Sequence, residues 1–202
     1  MRGAVLAGGV ASRYDGRPKG LERVGGERIL DRLVASLTAA TGEPPLLIAN
    51  DPQAAEWAPG LRVVTDSRPD CGSLGGIYTA LTTGQGPVLL VAWDMPFVTT
   101  DLLQALVGGS PDYDVFLPES GGPRGVEPLC GVYGPACLAP VTRQLDDEDL
   151  RAIGFHDAVR VGHLPLEVVS GFGDPETLFF NVNTPNDLAK AEDLWRKHAS
   201  SQ

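Results

Sequence analysis

The 202-residue sequence predicts an α/β protein: a three-layer α/β/α sandwich around a mostly parallel central sheet. Three observations predict it. Apolar runs at Ala4-Val5-Leu6, Leu46-Leu47-Ile48-Ala49 and Val88 to Ala92 are brief and continuous, as in strands covered on both faces. Stretches with apolar residues at helical spacing separate them. Strand and helix alternate, which calls for right-handed parallel crossovers with helices on both sides of the sheet.

The first strand ends in Ala7-Gly8-Gly9, a turn without bulky side chains. Arg13, Arg17 and Lys19 follow in a loop broken by Gly16 and Pro18. Glycine lets backbone N–H groups approach a ligand closely, and exposed N–H groups favour anions. The stretch therefore reads either as a phosphate cradle or as a tight strand-to-helix turn with a solvated basic loop. It matches neither of the two common nucleotide fingerprints, G-x-G-x-x-G and G-x-x-x-x-G-K-[ST]. Leu21 to Val24 reads as a short strand turned at Gly25-Gly26. Ile29, Leu30, Leu33, Val34 and Leu37 then predict a helix to about Ala40, ended by Gly42 and Pro44-Pro45. Leu61 to Thr65 is a third strand and ends at Asp66. The run Gly72-Ser73-Leu74-Gly75-Gly76 opens a helix carrying Ile77, Ala80 and Leu81. A glycine-rich helix start either offers amides to an anion or serves close packing.

Val88 to Ala92 is the most apolar run, and it ends in Trp93-Asp94-Met95-Pro96-Phe97. A carboxylate just past a buried parallel strand lies at the carboxyl edge of the sheet, where open α/β folds bind ligands. Pro96 keeps Asp94 in a loop, and Thr99 or Thr100 caps the next helix, which carries Leu102, Leu103 and Leu106. Val115 to Leu117 reads as a strand, Glu119 to Gly125 as a flexible loop, and Glu127 to Tyr133 as a strand returning to the sheet. The acidic block Asp146 to Asp149 reads as a solvated helix edge. Phe179-Phe180-Asn181-Val182-Asn183 reads as a strand with both asparagines on one side. Thr184, Pro185 and Asp187 form a box-like start to a helix over Asn186 to His198, with Leu188, Ala191 and Leu194 inward.

Bulk properties narrow the function. A net charge of −10 argues against a general nucleic-acid binder. Residues 1–32 carry seven basic and four acidic groups, a net of +3 that leaves −13 for the rest, as for a small anionic ligand bound locally. No apolar run approaches the roughly 20 residues of a membrane span, and no signal peptide is evident. Cys71, Cys130 and Cys137 form no C-x-x-C pair, and their odd number fits a reducing cytoplasm. His156, His163 and His198 lack zinc spacing.

Leu6-Ala7-Gly8-Gly9, Arg13 after three further residues, Gly16 and Lys19-Gly20-Leu21 resemble the signature of molybdenum cofactor guanylyltransferases. Asp15 stands where that family often has glycine, and Pro18 where it often has an acidic residue. The Gly72–Gly76 run is similar to a family segment beside the nucleotide base. Trp93-Asp94-Met95-Pro96 looks like its magnesium-binding aspartate motif, and Asn181-Val182-Asn183-Thr184-Pro185 like its closing motif. The resemblance spans residues 3 to about 195 and is weakest over 147–176, where no function is carried over.

The resemblance implies a Rossmann-like nucleotidyltransferase fold filling one domain, with a nucleotide-binding half at 1–107 and an acceptor-binding half at 108–202. It implies transfer of GMP from GTP to molybdopterin, with or without molybdenum, giving the guanine dinucleotide cofactor and pyrophosphate. Arg13, Lys19 and Asp94 are the implied catalytic residues. Leu6, Ala7, Gly8, Gly9, Lys19, Asp66 and Asp94 would bind nucleotide. Asp94 would hold Mg²⁺, and Asn181 and Asn183 would face the acceptor. Arg23 and Arg28 are expected in solvent, and Glu127 has no assigned role. Expected partners are the two substrates and transiently molybdoenzymes or their chaperones, with no nucleic acid or membrane. Leu-Ala-Gly-Gly resembles the guanylyl rather than the cytidylyl pattern, Thr-Ala-Ala-Gly. Cytidylyl or sugar-phosphate nucleotidyl transfer, and nucleotide binding without catalysis, remain the alternative readings.

Overall fold

The structure, a computed structural model, describes residues 1–8 and 18–199. The described strands form a seven-stranded sheet and a two-stranded hairpin. The sheet contains β1 (Arg2–Leu6), β4 (Leu46–Ile48), β5 (Val63–Val64), β6 (Val88–Ala92), β7 (Val115–Pro118), β8 (Cys130–Tyr133) and β9 (Val161–Leu164), in the order β5-β4-β1-β6-β8-β7-β9. β8 alone among them runs antiparallel to its neighbours, so the sheet is mostly parallel as expected.

Alternation along the strands builds two cores. Val5, Leu47, Leu89 and Val91 face one layer, made by α1 (Ile29–Thr41), α4 (Thr100–Gly109) and the inner side of α8 (Pro185–Ala199). Ala4, Leu6, Leu46, Ile48, Val88 and Leu90 face the other, made by α3 (Gly72–Thr82) and α5 (Leu138–Asp146). A residue step along a strand reverses the side chain, so each run is apolar throughout. The helix starts follow local chemistry. The Thr99 hydroxyl accepts the Leu102 amide at 3.3 Å ahead of α4. Thr184 Oγ1 accepts the Asp187 amide at 3.2 Å and donates to Asp187 Oδ2 at 2.8 Å ahead of α8.

Four expectations need correction. The strand at Leu61 to Thr65 shrinks to Val63–Val64, because the Leu61 amide turns back to Ala58 O. The strand at Glu127 to Tyr133 begins only at Cys130. The Glu127 carboxylate accepts the Leu129 amide at 3.1 Å, which curls the chain before it joins the sheet. Phe179 to Asn183 is not a strand. It leaves a short helix, α7 (Pro175–Leu178), and the Phe179 and Phe180 amides still bond back to Pro175 and Thr177 carbonyls. The Asp146–Asp149 block is not one helix edge. α5 ends at Asp146, Glu148 takes φ 58°, and Asp149 folds onto Arg151 at 2.6 Å.

The hairpin of β2 (Arg23–Val24) and β3 (Glu27–Arg28) turns at Gly25 and Gly26, with φ 62° and 81°. That left-handed region suits glycine. The fully buried Tyr133 donates its hydroxyl to Pro128 O at 2.5 Å, tying β8 to the turn at Glu127. Tyr133→Phe strands that carbonyl without its donor. It should lower stability by about 1–3 kcal/mol in chemical denaturation while the far-ultraviolet dichroism of the native state is unchanged.

Candidate active site

The site is built where β1 and β6 leave the sheet. Leu6 lies opposite Ala92 in parallel register, so Ala7-Gly8 and Trp93-Asp94 emerge side by side. The Trp93 amide donates to Leu6 O at 3.1 Å and the Ala7 amide to Ile48 O at 2.8 Å, which fixes both exits. Gly8 is exposed, and a methyl group there would meet none of the described residues within 4 Å. Its value is an uncovered backbone rather than packing. Gly9 and Arg13 lie outside the described residues.

Asp94 is mostly withdrawn from water. Its Oδ1 is buried without a hydrogen-bond partner among the described residues. Burial holds its carboxyl above the usual range, and the nearby Lys19 ammonium pulls it partly back down. An unsatisfied buried carboxylate oxygen costs free energy unless a cation or donor arrives. Among the described residues no three His, Cys, Asp or Glu side chains gather into a metal cage. A hard divalent cation that keeps waters and binds substrate phosphates needs one or two carboxylates, and the Asp94 donor set fits that kind of ion.

Lys19 reaches the same place from a separate segment. It opens a short 3₁₀ turn over Lys19–Leu21 and donates to Asn183 Oδ1 at 2.7 Å. The turn lies against the indole of Trp93, where a methyl group at Gly20 would come within 2.4 Å of Cε3. Trp93 stacks on Trp57 with ring centroids 5.2 Å apart. Glycine at 20 thus lets the lysine turn settle on an aromatic pair. Neither the stack nor its contact with Gly20 follows from any sequence spacing.

The two asparagines part company. Asn183 meets Lys19, whereas Asn181 Nδ2 donates to Phe179 O at 2.9 Å and is spent on its own turn. The Val182 amide donates to Asp94 O at 2.8 Å, so the closing segment is docked on the aspartate loop. Asp66 sits further along the sheet edge. It takes a bond from Asn50 Nδ2 at 3.2 Å, its amide bonds Asn50 Oδ1 at 2.8 Å, and burial raises its pKa. Glu127, given no role above, is also raised, first by burial and in small part by the charge of Asp94, which places it beside the site.

The basic first segment is not one anion-binding patch. Arg2 bonds the carbonyl of Gln85 at 3.2 Å. Arg23 bonds Gly26 O at 2.6 Å. Arg28, expected in solvent, grips Asp31 at 2.6 and 2.7 Å and bonds Trp57 O at 3.0 Å. Fork geometry suits a carboxylate three residues on, so Arg28 is held. The Gly72–Gly76 run serves close packing at two positions: a methyl at Gly75 would lie 2.7 Å from Arg68 O, and one at Gly76 2.9 Å from Leu6 Cδ2. Beyond Glu127 opens a cleft of about 920 Å³, lined among others by Ser73, Arg124, Leu129, Arg151 and His156. Burial lowers the His156 pKa to about 4. Two of these residues come from 147–176, where sequence patterns were silent.

Comparison with known proteins follows the same outline. The family model described as a MobA-like NTP transferase domain matches residues 3–160. A relative from Pelotomaculum thermopropionicum, named a probable molybdenum cofactor guanylyltransferase, is 36% identical over 190 residues, covering 94% of this chain and 90% of its own. A molybdenum cofactor guanylyltransferase from Desulfosudis oleivorans is 30% identical over 195 residues, covering 95% and 94%. The crystal structure of molybdopterin-guanine dinucleotide biosynthesis protein A from Archaeoglobus fulgidus superposes with a TM-score of 0.80 at 26% identity, covering 98% of this chain and 100% of that one.

Two outcomes test this geometry. Asp94→Asn removes a buried charge that the fold leaves unsatisfied. The folded carboxyl titrates above its ordinary 3.8, so the wild-type apoprotein loses stability as pH rises from there through the raised value. The variant should therefore be the more stable apoprotein at pH 7, and the difference should vanish below about pH 4 in denaturant titrations. Separately, Lys19→Ala should weaken GTP binding in calorimetry by at least about fivefold more than Arg28→Ala, whose cation is already occupied. Equal losses would mean that overall charge, not position, attracts the nucleotide.

Proposed function

The chain belongs to the MobA-like NTP transferase family, and on that premise we propose that it transfers GMP from GTP to molybdopterin, forming the guanine dinucleotide cofactor and releasing pyrophosphate. The carrying observation is the meeting of Lys19, Asn183 and a buried Asp94 oxygen, unpartnered among the described residues, at the carboxyl edge of β1 and β6. A terminal phosphate oxygen of the acceptor attacks the α-phosphorus of GTP. The bond from that phosphorus to the bridging oxygen breaks, and pyrophosphate leaves with the electron pair. The protein's task is to align two anions and offset the charge on the leaving group.

Lys19 supplies a fixed cation for the phosphates, held by Asn183. Asp94 would hold Mg²⁺, which would supply positive charge to offset that of the phosphates. The backbone of Leu6 to Gly9 would carry the nucleotide, with Asp66 beside it and Arg13 on the phosphates. Residues 1–107 form the nucleotide half and 108–202 the acceptor half. The cleft with Arg124 and Arg151 lies in the second half beyond Glu127, and its cations suit an anionic pterin phosphate. Asn181 and Asn183 would face the acceptor, Asn183 through the amide whose oxygen also accepts from Lys19. The three cysteines are free thiols, which suits a cytoplasmic enzyme. No helix of the described residues is long and apolar enough to cross a membrane.

Guanine presents a carbonyl acceptor and N–H donors, and cytosine a smaller edge of different pattern. A pocket matched to one leaves polar groups unpaired with the other, at about 1–3 kcal/mol each. Equal GTP and CTP with limiting molybdopterin and Mg²⁺ should yield guanine over cytosine dinucleotide by at least roughly tenfold. Dominance of the cytosine product would overturn the guanine assignment, and absence of pyrophosphate release would overturn catalysis.

A further inference from the structure

Arg32 belongs to no motif. It lies on α1, one turn in from the hairpin, with its side chain 13% exposed. Every arm of its guanidinium is engaged. Nη1 donates to Pro96 O at 3.1 Å, Nη2 to Val24 O at 2.8 Å, and Nε to Glu27 Oε2 at 3.0 Å. Its face rests on the indole of Trp195, 4.2 Å from the ring centre. Trp195 in turn covers Gly25, where a methyl group would lie 2.1 Å from the indole, and Glu192 accepts the Gly25 amide at 3.0 Å.

These partners belong to the three segments that carry the site. Pro96 is two residues beyond Asp94. Val24 ends the strand that follows the Lys19 turn. Trp195 is on the helix that begins just after Asn183. The same segments are joined at the front by the Lys19–Asn183 bond of 2.7 Å and the Val182–Asp94 bond of 2.8 Å. We propose that Arg32 is a positioning residue of the active site, one guanidinium that fixes the aspartate loop, the lysine-bearing turn and the asparagine-bearing helix relative to one another. Its role in turnover rests on the transfer reaction proposed above; its role in geometry does not. Arginine is suited to this work because a planar fork donates in three directions and stacks on an aromatic face, whereas an ammonium is a single point charge. A small misplacement of aligned phosphates is costly, roughly a hundredfold in rate for 1 Å.

The test uses the full chain and two readouts, amide hydrogen exchange and steady-state turnover with GTP and molybdopterin. Arg32→Met keeps the apolar stem. It should speed exchange of the Val182 amide by about tenfold or more while Leu89 and Leu90 in β6 exchange as in the wild type. Its kcat should fall at least about tenfold, and Arg32→Lys should recover only part of that loss. Trp195→Leu, which removes the stacking face and the cover over Gly25 but none of the three guanidinium hydrogen bonds, should give a smaller acceleration at Val182 and keeps the test available if Arg32→Met does not fold. Wild-type exchange at Val182 in the folded variants would overturn the proposal. So would acceleration shared equally with β6, which marks general destabilisation. If the wild-type protein itself releases no pyrophosphate, the transfer reaction fails while the exchange pattern still decides the role of Arg32.

Discussion

The parallel pairing of β1 with β6, in register from Arg2 opposite Val88 to Leu6 opposite Ala92, is the constraint on which the site depends. It sends both strands out of one edge, so a glycine turn and an aspartate loop far apart in sequence leave together. Alternation makes the register strict. Leu6 points to the α3 layer, where Gly76 leaves room for it, and Trp93 points to the α1 layer, where Gly20 leaves room for its indole. A slip of one residue would exchange every face and bury the wrong partner in each layer.

Among the described residues, hydrogen bonding then separates four arginines of the first segment from Lys19. The chain is acidic overall, and its first 32 residues are basic. Arg2, Arg23, Arg28 and Arg32 are bound by carbonyls or carboxylates of the protein itself. Lys19 is bound by a neutral amide oxygen, which orients the ammonium without neutralising it. Asp94, a few residues past the most apolar strand, has one oxygen without a partner among the described residues and a carboxyl raised by burial. Paired with each other these groups would be a structural ion pair. Lys19 is instead bonded to Asn183 near the raised carboxyl, and perturbed carboxylates of this kind cluster at functional sites.

Much of this was legible in the sequence, for identifiable reasons. β1, β6 and the start of α1 are continuous apolar or periodic stretches with clear terminators, and each was placed within a residue or two. Asp94 stands out because a carboxylate follows a buried strand, whereas Lys19 is singled out by the family resemblance, its loop reading equally as a solvated basic one. Glycine 9 and Arg13 were equally prominent in the sequence, but they fall outside the described residues. The failures have a common cause. Phe179 to Asn183 has a strand's composition, but its amides are taken by a preceding helical turn and by Asp94 O. One partner of Arg28, Trp57 O, is 29 residues away, which the expectation of solvent misses, and Arg32 is singled out by no pattern because Pro96 O is 64 residues away. Spacing along the chain carries periodicity and caps; it does not carry a bond whose other end is on another element.

The glycines and tryptophans make the same point at closer range. Gly8 and Gly25 read as turn residues, and Gly20 is noted only beside Lys19 in the family signature. Gly8 has open space, Gly20 admits the indole of Trp93, and Gly25 combines a φ of 62° with the indole of Trp195. Two glycines thus exist for an aromatic ring, and in both cases the ring supports a cation: Trp93 lies beneath the Lys19 turn and Trp195 beneath Arg32. An indole is large and flat, and it keeps one orientation when stacked on a second ring, as Trp93 does on Trp57. The Trp93 Nε1 is buried without a partner among the described residues, where shape rather than hydrogen bonding accounts for that side chain. The fold accepts this unsatisfied donor and gains a rigid floor under the lysine. An alanine at position 20 would lift the turn off that floor and, with it, the ammonium from its place beside Asp94.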